Sequence, residues 1–182
     1  MRLVLLGAPG SGKGTQAAKL VQRFGLRHVS TGDIFRKAIS DRSSLGCEAK
    51  RYLDEGLLVP DSIVLGMIGS ILDELFSTRG FILDGFPRTV AQAEQLDHVL
   101  ANQKQPLDAV VDLKVADEVL FKRLLARKRG DDTEETIRVR LKTFREQTEP
   151  LRHYYALRNR LKAVEGARSV EEVFESIVEH LS

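Results

Sequence analysis

A glycine-rich segment near the amino terminus has the composition of a phosphate-binding turn. Residues Gly7–Thr15, GAPGSGKGT, match the spacing G-x-x-x-x-G-K, with Gly14 where Ser or Thr is usual. Glycines let the backbone wrap around phosphate oxygens with its N–H groups inward, and Lys13 adds a cation. A strand predicted at 2–6 and a helix predicted over about 12–24 supply the context, since the start of a helix attracts anions. A tight turn with a solvated lysine is the disfavoured alternative, and the segment is predicted to bind a nucleoside triphosphate.

A second segment, Phe81–Arg88, places an acid and a base just after an apolar run. Asp84 should lie at the carboxyl edge of the sheet, where it can organise magnesium through water; capping of a turn is its alternative role. Arg88 follows a sharp turn and offers a bidentate donor for phosphate. Gln92 can donate to and accept from a base edge, as glutamine does with adenine. A solvated helix face is the favoured interpretation of Gln92 on its own.

Arginines are concentrated in the segment 123–160. Arg123 and Arg127 are four residues apart and share a helix face, whereas Arg138 and Arg140 point in nearly opposite directions on the next predicted helix. Converging guanidinium groups would stabilise the charge that spreads over a transferring phosphoryl group. A solvated basic face paired with nearby glutamates is the alternative, and it is the favoured interpretation of Arg138.

Strands and helices must alternate to bring these groups together. Short apolar runs bounded by turn signals predict five strands, at residues 2–6, 26–30, 81–83, 107–115 and 161–164. Helical periodicity predicts helices between them, whose capping residues are Ser30 or Thr31, Ser43, Asp61, Asp117, Asp132 in a box with Glu135, and Ser169 in a box with Glu172. Pro150 should end or kink the helix that begins near 132. The alternation predicts an α/β fold, a parallel sheet with helices on both faces, in one domain.

Length and composition exclude several classes of protein. The 182 residues are 42% hydrophobic and 30% charged, so the chain can form a core and is not a disordered segment. Its 28 Lys+Arg and 26 Asp+Glu give a net charge of +2, which makes no general case for nucleic-acid binding. The single cysteine, Cys47, fits a reducing compartment, and the apolar run Leu3–Leu6 is too short for a membrane span. We expect a cytoplasmic monomer that binds neither nucleic acid nor membrane.

Three motifs together resemble the adenylate kinase family. They are Gly7–Thr15, Ser30–Asp33 followed by Arg36, and Asp84–Arg88. The resemblance covers nearly all of residues 1–182 and implies the three-layer P-loop NTPase fold with a five-stranded parallel sheet. It also implies reversible phosphoryl transfer, MgATP + AMP to two ADP, in adenine nucleotide homeostasis. Mg²⁺ would be the cofactor, and ATP, AMP and ADP the partners.

The resemblance also implies individual roles. ATP would be held by Gly10, Ser11, Gly12, Lys13, Gly14, Thr15, Arg123, Arg127 and Arg168. AMP would be held by Thr31, Arg36, Leu57, Leu58, Val59, Gly85, Phe86, Pro87, Arg88, Gln92, Arg129 and Arg140. The catalytic residues would be Lys13, Asp84, Arg88, Arg127, Arg129 and Arg140. Thr15 and Asp84 would hold magnesium, and Asp131 and Asp132 would orient the arginines, with helix capping as the competing role of Asp132.

Two segments would move, by the same resemblance. An AMP-binding subdomain would span about residues 30–59, and a very short lid about residues 126–132. Long-lid members of the family carry an extra small domain at this point, sometimes with zinc. Here only Lys128–Gly130 separate Arg127 from Asp131, so we expect the short-lid type without a zinc site.

Three alternatives have different consequences for the acceptor site. A UMP/CMP kinase shares the architecture, but Thr31 and Gln92 argue against it. A P-loop protein that uses ATP only as a switch would need no second phosphate site, so Asp84–Arg88 and the paired arginines argue against that alternative. A nucleic-acid role for the basic segment is the weakest, and strongly salt-dependent binding would support it.

Overall fold

Five parallel strands form one sheet at the centre of the molecule. The computed structural model describes residues 1–127 and 132–181. The strands are β1 (Arg2–Leu6), β2 (Arg27–Ser30), β3 (Phe81–Asp84), β4 (Ala109–Lys114) and β5 (Leu161–Glu165). Their order across the sheet is β2-β3-β1-β4-β5, and every neighbouring pair is parallel. The predicted α/β fold with a five-stranded parallel sheet is confirmed.

Helices lie between and beyond these strands. Their bounds are α1 (Lys13–Phe24), α2 (Thr31–Ser40), α3 (Ser44–Asp54), α4 (Asp61–Leu75), α5 (Val90–Asn102), α6 (Asp117–Arg127), α7 (Glu134–Thr143), α8 (Pro150–Ala156) and α9 (Val170–Leu181). A π-helical turn, Phe144–Thr148, joins α7 to α8. None of the helices in the described ranges is long and apolar enough to cross a membrane.

The two faces of the sheet bury separate apolar clusters, which makes the fold three-layered. On one face, Leu3, Leu5 and Ile82 pack with residues of α1 and α9. On the other, Val4 and Leu83 pack with residues of α4, α5 and α8. Strands buried on both faces are continuously apolar, as residues 3–6 and 81–83 are.

Helix α3 packs against α2 with no side chain between the two backbones at one point. A Cβ at Gly46 of α3 would fall inside van der Waals contact with the backbone of Ala38 and Ile39. Glycine therefore sets the closest approach of the pair. Ser43 fixes the turn between the helices, because its hydroxyl accepts from Gly46 N and donates to Ala38 O at 3.1 Å each.

Three of the six predicted capping positions are confirmed, and three are wrong. Ser30 and Ser43 cap α2 and α3, and Ser169 and Glu172 form the predicted capping box.

The three predicted aspartate caps are the wrong ones. Asp61 and Asp117 are the first residues of α4 and α6, which Pro60 and Ala116 precede. Asp132 does not cap α7, because Thr133 does so by accepting from Thr136 N at 3.1 Å. Asp61 and Asp132 instead bind side chains from other elements, as described below.

Pro150 affects its helix differently from the predicted end or kink. The chain continues through the π-helical turn, and Pro150 takes the first position of α8. Proline fits there because its missing N–H has no partner to lose in the first helical turn.

The sheet topology determines where a ligand can bind. The connection from β1 leads to β2 on one side of the sheet, and the later strands β4 and β5 lie on the other. In open parallel sheets, ligands bind beyond the carboxyl ends of the strands at such a change of direction. Leu5 pairs with Asp84, so the end of β3 lies beside the end of β1, where the glycine-rich turn begins.

Candidate active site

A cavity of about 800 Å³ opens at this carboxyl edge. The predicted site residues that line it are Gly10, Ser11, Gly12, Lys13, Gly14, Thr15, Arg36, Leu57, Leu58, Asp84, Gly85, Pro87, Arg88, Arg123, Arg127, Arg140 and Arg168. Residues that are distant in the sequence thus face one space, and most of the charged ones among them are cations.

The glycine-rich turn has the backbone geometry of an anion cradle. Gly7, Gly10 and Gly12 all have positive φ angles, of 143°, 84° and 101°, which side-chain-bearing residues rarely adopt. Gly12 directly precedes α1, so the first N–H groups of that helix face the turn. Lys13 Nζ donates to Gly7 O at 2.8 Å and to Ala8 O at 3.1 Å, which holds its ammonium group across the turn.

Burial lowers the pKa of Lys13, and the nearby cations Arg88 and Arg127 lower it further against the opposing effect of Asp84. The ammonium group has therefore lost water and lies among like charges. A bound polyanion would relieve both effects, which is the expected electrostatic setting of a phosphate site.

Asp84 lies across from the start of α1, and its side chain is 13% exposed. A Cβ at Gly14 would lie 3.9 Å from Asp84 Oδ2, so the carboxylate reaches the phosphate-binding turn. Burial raises the pKa of Asp84, but His28, Lys13 and Arg88 together hold it below its ordinary value. The carboxylate is therefore ionised near neutral pH and provides hard oxygen donors beside Thr15.

His28 is a neighbour of this carboxylate that the sequence did not reveal. Its Nε2 lies 3.7 Å from Asp84 Oδ2. The sequence predicts a strand-end or surface histidine without a partner. In the parallel pairing of β2 with β3, Ser30 lies opposite Asp84. His28 is two residues before Ser30 on the same strand. Only the strand order brings the two side chains together.

Arg88 lines the same cavity as Asp84. Its Nε donates to Gly85 O at 2.8 Å, which leaves the terminal N–H groups of the guanidinium for a ligand. Burial lowers the pKa of Arg88, with Arg140 and Arg36 acting in the same direction and Asp84 opposing them. Several cations thus converge on one region, which favours an anion between them.

Asp132 joins two predicted arginines. Its carboxylate accepts from Arg127 Nε and Nη2 at 2.9 and 3.0 Å, and from Arg140 Nη1 at 2.8 Å. Its side chain is fully buried. This contact agrees with the orienting role predicted for Asp132 and excludes the capping role. Arg140 also donates to Leu53 O at 3.3 Å and so links α7 to the end of α3.

A second, much smaller pocket adjoins Arg88. It is lined by Thr31, Gly32, Phe35, Leu53, Leu58, Val59, Val64, Gly85, Arg88 and Gln92. Thr31 Oγ1 donates to Gly85 O at 2.9 Å. Gln92 is 1% exposed, so the interpretation of a solvated helix face is wrong. Phe86, at the turn before Arg88, is also 1% exposed and packs in the core.

The far end of the cavity is formed by α6 and the turn before α9. Arg123 Nη1 donates to Gly166 O at 3.0 Å, and Arg168 follows in the same turn. Thr143, Phe144 and Thr148 add a wall from the π-helical turn and its flank. The sequence missed this wall because Pro150 suggested that the helix would stop or bend there.

Arg129 and Asp131 lie outside the described residues, and so does most of the segment predicted as a lid. Within the ranges that the structure describes, no group of three or more His, Cys, Asp or Glu side chains could hold a metal ion.

Comparisons with known proteins agree in one family. A family model described as adenylate kinase matches residues 5–160. An adenylate kinase of Mycobacterium sp. (strain MCS) is 50% identical over 96% of this chain and 95% of its own. One from Thermodesulfovibrio yellowstonii is 46% identical over 97% of both chains. Adenylate kinase 1 of Synechocystis sp. is 50% identical over 94% of this chain and 91% of its own.

Proposed function

The chain belongs to the adenylate kinase family, and from this premise we propose how the residues of its cavity divide the work. The protein is a phosphotransferase, a nucleoside monophosphate kinase that interconverts ATP and AMP with two ADP. A UMP/CMP kinase and a non-catalytic ATP-binding protein are not favoured, because the relatives across nearly the whole chain are adenylate kinases.

The donor nucleotide occupies the glycine-rich end of the cavity. Backbone N–H groups of residues 10–15 hold its phosphates, and Lys13 adds its charge to the terminal phosphates. Arg127 approaches the same phosphates, and Arg123 lies beside the donor base, with the backbone near Arg168 on its other side. The contact of Arg123 with Gly166 O supports this role, because it fixes the guanidinium at the far end of the cavity.

The acceptor nucleotide occupies the side formed by α2, α3 and the segment after β3. Arg36 and Arg88 hold its phosphate, with Gly85 and Pro87 shaping the turn that presents Arg88. Its base lies against the smaller pocket, which Thr31, Leu58, Val59 and Gln92 line, with Leu57 on the adjoining wall of the main cavity. The single observation that carries this assignment is that Arg88, held by its Nε contact with Gly85 O, lines the same cavity as the glycine-rich turn together with Arg36 and Arg140, because a second group of cations beside the donor phosphates favours a second anion.

Magnesium fits the oxygen donors next to the donor phosphates. Thr15 and the ionised Asp84 would hold the ion, Asp84 through water, as the proximity of Asp84 to Gly14 supports. When bound there, magnesium would neutralise part of the negative charge on the phosphates. The protein aligns donor and acceptor for in-line transfer. The charge on the transferring group is stabilised by Lys13, Arg88, Arg127 and Arg140, and by Arg129, which lies outside the described residues.

No side chain is needed as a general base in this scheme. The attacking group is a phosphate oxygen of AMP that is already anionic near neutral pH, so the protein only has to bring two polyanions together and screen them. The described cations suit that task. Asp132 holds Arg127 and Arg140 at fixed positions, which reduces the reorganisation required when the phosphoryl group moves.

Residues 30–59 form the proposed mobile acceptor subdomain, and about 126–132 the proposed short lid. Helices α2 and α3 pack closely on each other and border the cavity, which supports a movement of that segment as one piece. We also propose a monomer that acts on free nucleotides in the cytoplasm without nucleic acid; the single cysteine fits a reducing compartment, and a net charge of only +2 makes no general case for nucleic-acid binding.

An acceptor panel tests the proposed function. ADP formation from MgATP is measured with AMP, CMP, UMP or GMP, beside a mixture without acceptor and one without magnesium. We expect rapid, magnesium-dependent ADP formation with AMP alone. Preferred transfer to CMP or UMP would refute the assignment of the base pocket, and ATP binding without transfer to any acceptor would refute the division of the cavity into two sites.

A further inference from the structure

We propose that Asp61 is a positioning residue for acceptor selection: it fixes the orientation of the Gln92 amide, so that the site selects bases with an amino group over bases with an oxo group at the corresponding position. The inference rests on the proposed function, in which Gln92 faces the acceptor base. Asp61 is the first residue of α4, and Gln92 lies on α5, 31 residues further along the chain.

Two contacts determine which way the Gln92 amide lies. Its Nε2 donates to Asp61 Oδ1 at 2.6 Å, and its Oε1 accepts from the backbone N–H of Arg88 at 2.7 Å. An ionised carboxylate can only accept, and a backbone N–H can only donate. The reversed amide would place oxygen against the carboxylate and its NH₂ group against the Arg88 N–H. Because the side chain is 1% exposed, water cannot compensate either contact.

Asp61 is itself held in place by the start of α5. Thr89 Oγ1 donates to Asp61 Oδ2 at 3.0 Å, and the same hydroxyl caps α5 by accepting from Gln92 N at 3.2 Å. Both carboxylate oxygens are therefore engaged, one by the cap and one by the amide. This contact explains why Asp61 does not cap its own helix.

The fixed amide retains one N–H and one acceptor position for a ligand. These can match the edge of adenine, which presents a ring-nitrogen acceptor beside an amino donor. A 6-oxo purine presents the opposite pair, an oxygen acceptor beside a ring N–H donor. A freely rotating glutamine could turn over to match it, but the Asp61 contact opposes that rotation. A free glutamine amide could recognise either pair of groups. The carboxylate holds the amide in one orientation, so that it is selective for one pair.

The test compares acceptors that differ mainly in this pair of groups. AMP and IMP have nearly the same shape, but their hydrogen-bond donor and acceptor exchange places at the 6-position and N1. CMP and UMP repeat this comparison with a pyrimidine base. Steady-state kcat and KM are measured for each acceptor at saturating MgATP, and for ATP at saturating AMP, with the full chain and with Asp61→Ala, Asp61→Asn and Asp73→Ala. Asp73 is an exposed acid on the same helix and serves as the matched control.

We expect Asp61→Ala to reduce the AMP/IMP ratio of kcat/KM by about tenfold, the effect of losing one oriented hydrogen bond. The KM for AMP should rise, while the KM for ATP stays unchanged. Asp61→Asn should retain most of the ratio, because its amide oxygen can still accept from Gln92. Asp73→Ala should behave as the unmodified chain, and the CMP/UMP ratio should fall with the AMP/IMP ratio.

A structural role alone predicts a different result. If Asp61 only supports the start of α5, its removal lowers the unfolding temperature and reduces activity with every acceptor in equal proportion, leaving the AMP/IMP ratio unchanged. That outcome would overturn the inference. Thr89→Val removes the cap of α5 and one of the two contacts that hold Asp61, so it should lower the unfolding temperature and reduce the ratio by less than Asp61→Ala does. Asp61→Ser, whose hydroxyl is too short to reach Gln92, replaces the alanine variant if that variant does not fold.

Failure of the proposed function would be seen separately. If the unmodified chain transfers no phosphoryl group to AMP, the assignment of the acceptor site is wrong before any variant is compared. If it transfers to AMP and Asp61→Ala keeps the unmodified AMP/IMP ratio, only the role of Asp61 is wrong.

Discussion

At the residue scale, side chains that act through local spacing were predictable and those that act through distant neighbours were not. Lys13 and Arg88 belong to short motifs whose chemistry follows from the order of their residues. His28 and Asp61 have no such motif, because their partners lie 56 and 31 residues away. Their roles depend on which strands and helices are adjacent, and the sequence alone does not specify that.

Arg88→Ala should reduce kcat/KM by about 10²–10³-fold, about 3–4 kcal/mol of transition-state stabilisation, because it removes a fixed donor for transferring charge. Steady-state kinetics with MgATP and AMP measures this change. The unfolding temperature should change little, since the only hydrogen bond that the guanidinium makes among the described residues is to Gly85 O. Arg138→Ala is the control, because Arg138 is exposed and packs on Phe121 away from the cavity. Near-normal turnover of Arg88→Ala would contradict the role.

Tyr155→Phe should stabilise the protein. Its hydroxyl is buried and has no hydrogen-bond partner among the described residues, so its removal relieves an unmet bond by about 1 kcal/mol. The adjacent Tyr154 is the matched comparison: its hydroxyl donates to Asp97 Oδ2 at 3.0 Å, and Tyr154→Phe should destabilise by about 1 kcal/mol. Urea unfolding measures both changes, and shifts of the same sign would refute the explanation.

At the element scale, periodicity and capping residues located most helices, and contacts between helices explain the exceptions. Asp61 and Asp132 both precede helical residues and have the right type for a cap, but each binds groups from another element instead. The π-helical turn before Pro150 is a further exception. Glu149 N donates to Phe144 O, five residues back, at 2.8 Å, and the turn places Phe144 and Thr148 on the wall of the cavity.

Replacing a helical glycine by alanine should lower the stability of the protein at Gly46 and raise it at two positions of α4. Gly46→Ala should destabilise by several kcal/mol, because its Cβ would overlap the backbone of α2, which cannot move aside as a side chain can. Gly66→Ala and Gly69→Ala in α4 meet no atom within 4 Å and should stabilise by about 0.5–1 kcal/mol each. Urea unfolding distinguishes the two groups. A neutral Gly46→Ala would show that α2 and α3 separate easily.

At the scale of the whole molecule, charge distribution matters more than net charge. The chain carries a net charge of only +2, yet the lysine and six arginines Arg36, Arg88, Arg123, Arg127, Arg140 and Arg168 face one cavity. The composition therefore could not predict a polyanion site, whereas the spacing of residues within the motifs predicted most of the cations that line it. The strand order that assembles these cations was not predictable, since five strands allow many arrangements.

Nucleotides should therefore stabilise the fold in proportion to their phosphates. At about 100 times its Kd, a ligand that binds only the folded state adds about 2.7 kcal/mol. Thermal unfolding should shift upward with ATP more than with AMP at equal concentration, and adenosine should have little effect. The shift should decrease as salt screens the cations. An equal shift with adenosine would show that base contacts, rather than phosphate contacts, dominate binding.

The close approach of α2 and α3 at Gly46 has a mechanical consequence. The backbone contact lies beside the turn that joins the two helices and prevents them from sliding past each other there, so the pair forms a rigid lever. Any displacement must be absorbed by rotation at its two ends, at Ser30 and within 57–60. Small angular changes at these pivots would be amplified along the length of the lever. Spectroscopic labels on α2 and α3 would keep a constant separation throughout a catalytic cycle, while labels on α3 and the sheet would change their separation if the proposed subdomain closes.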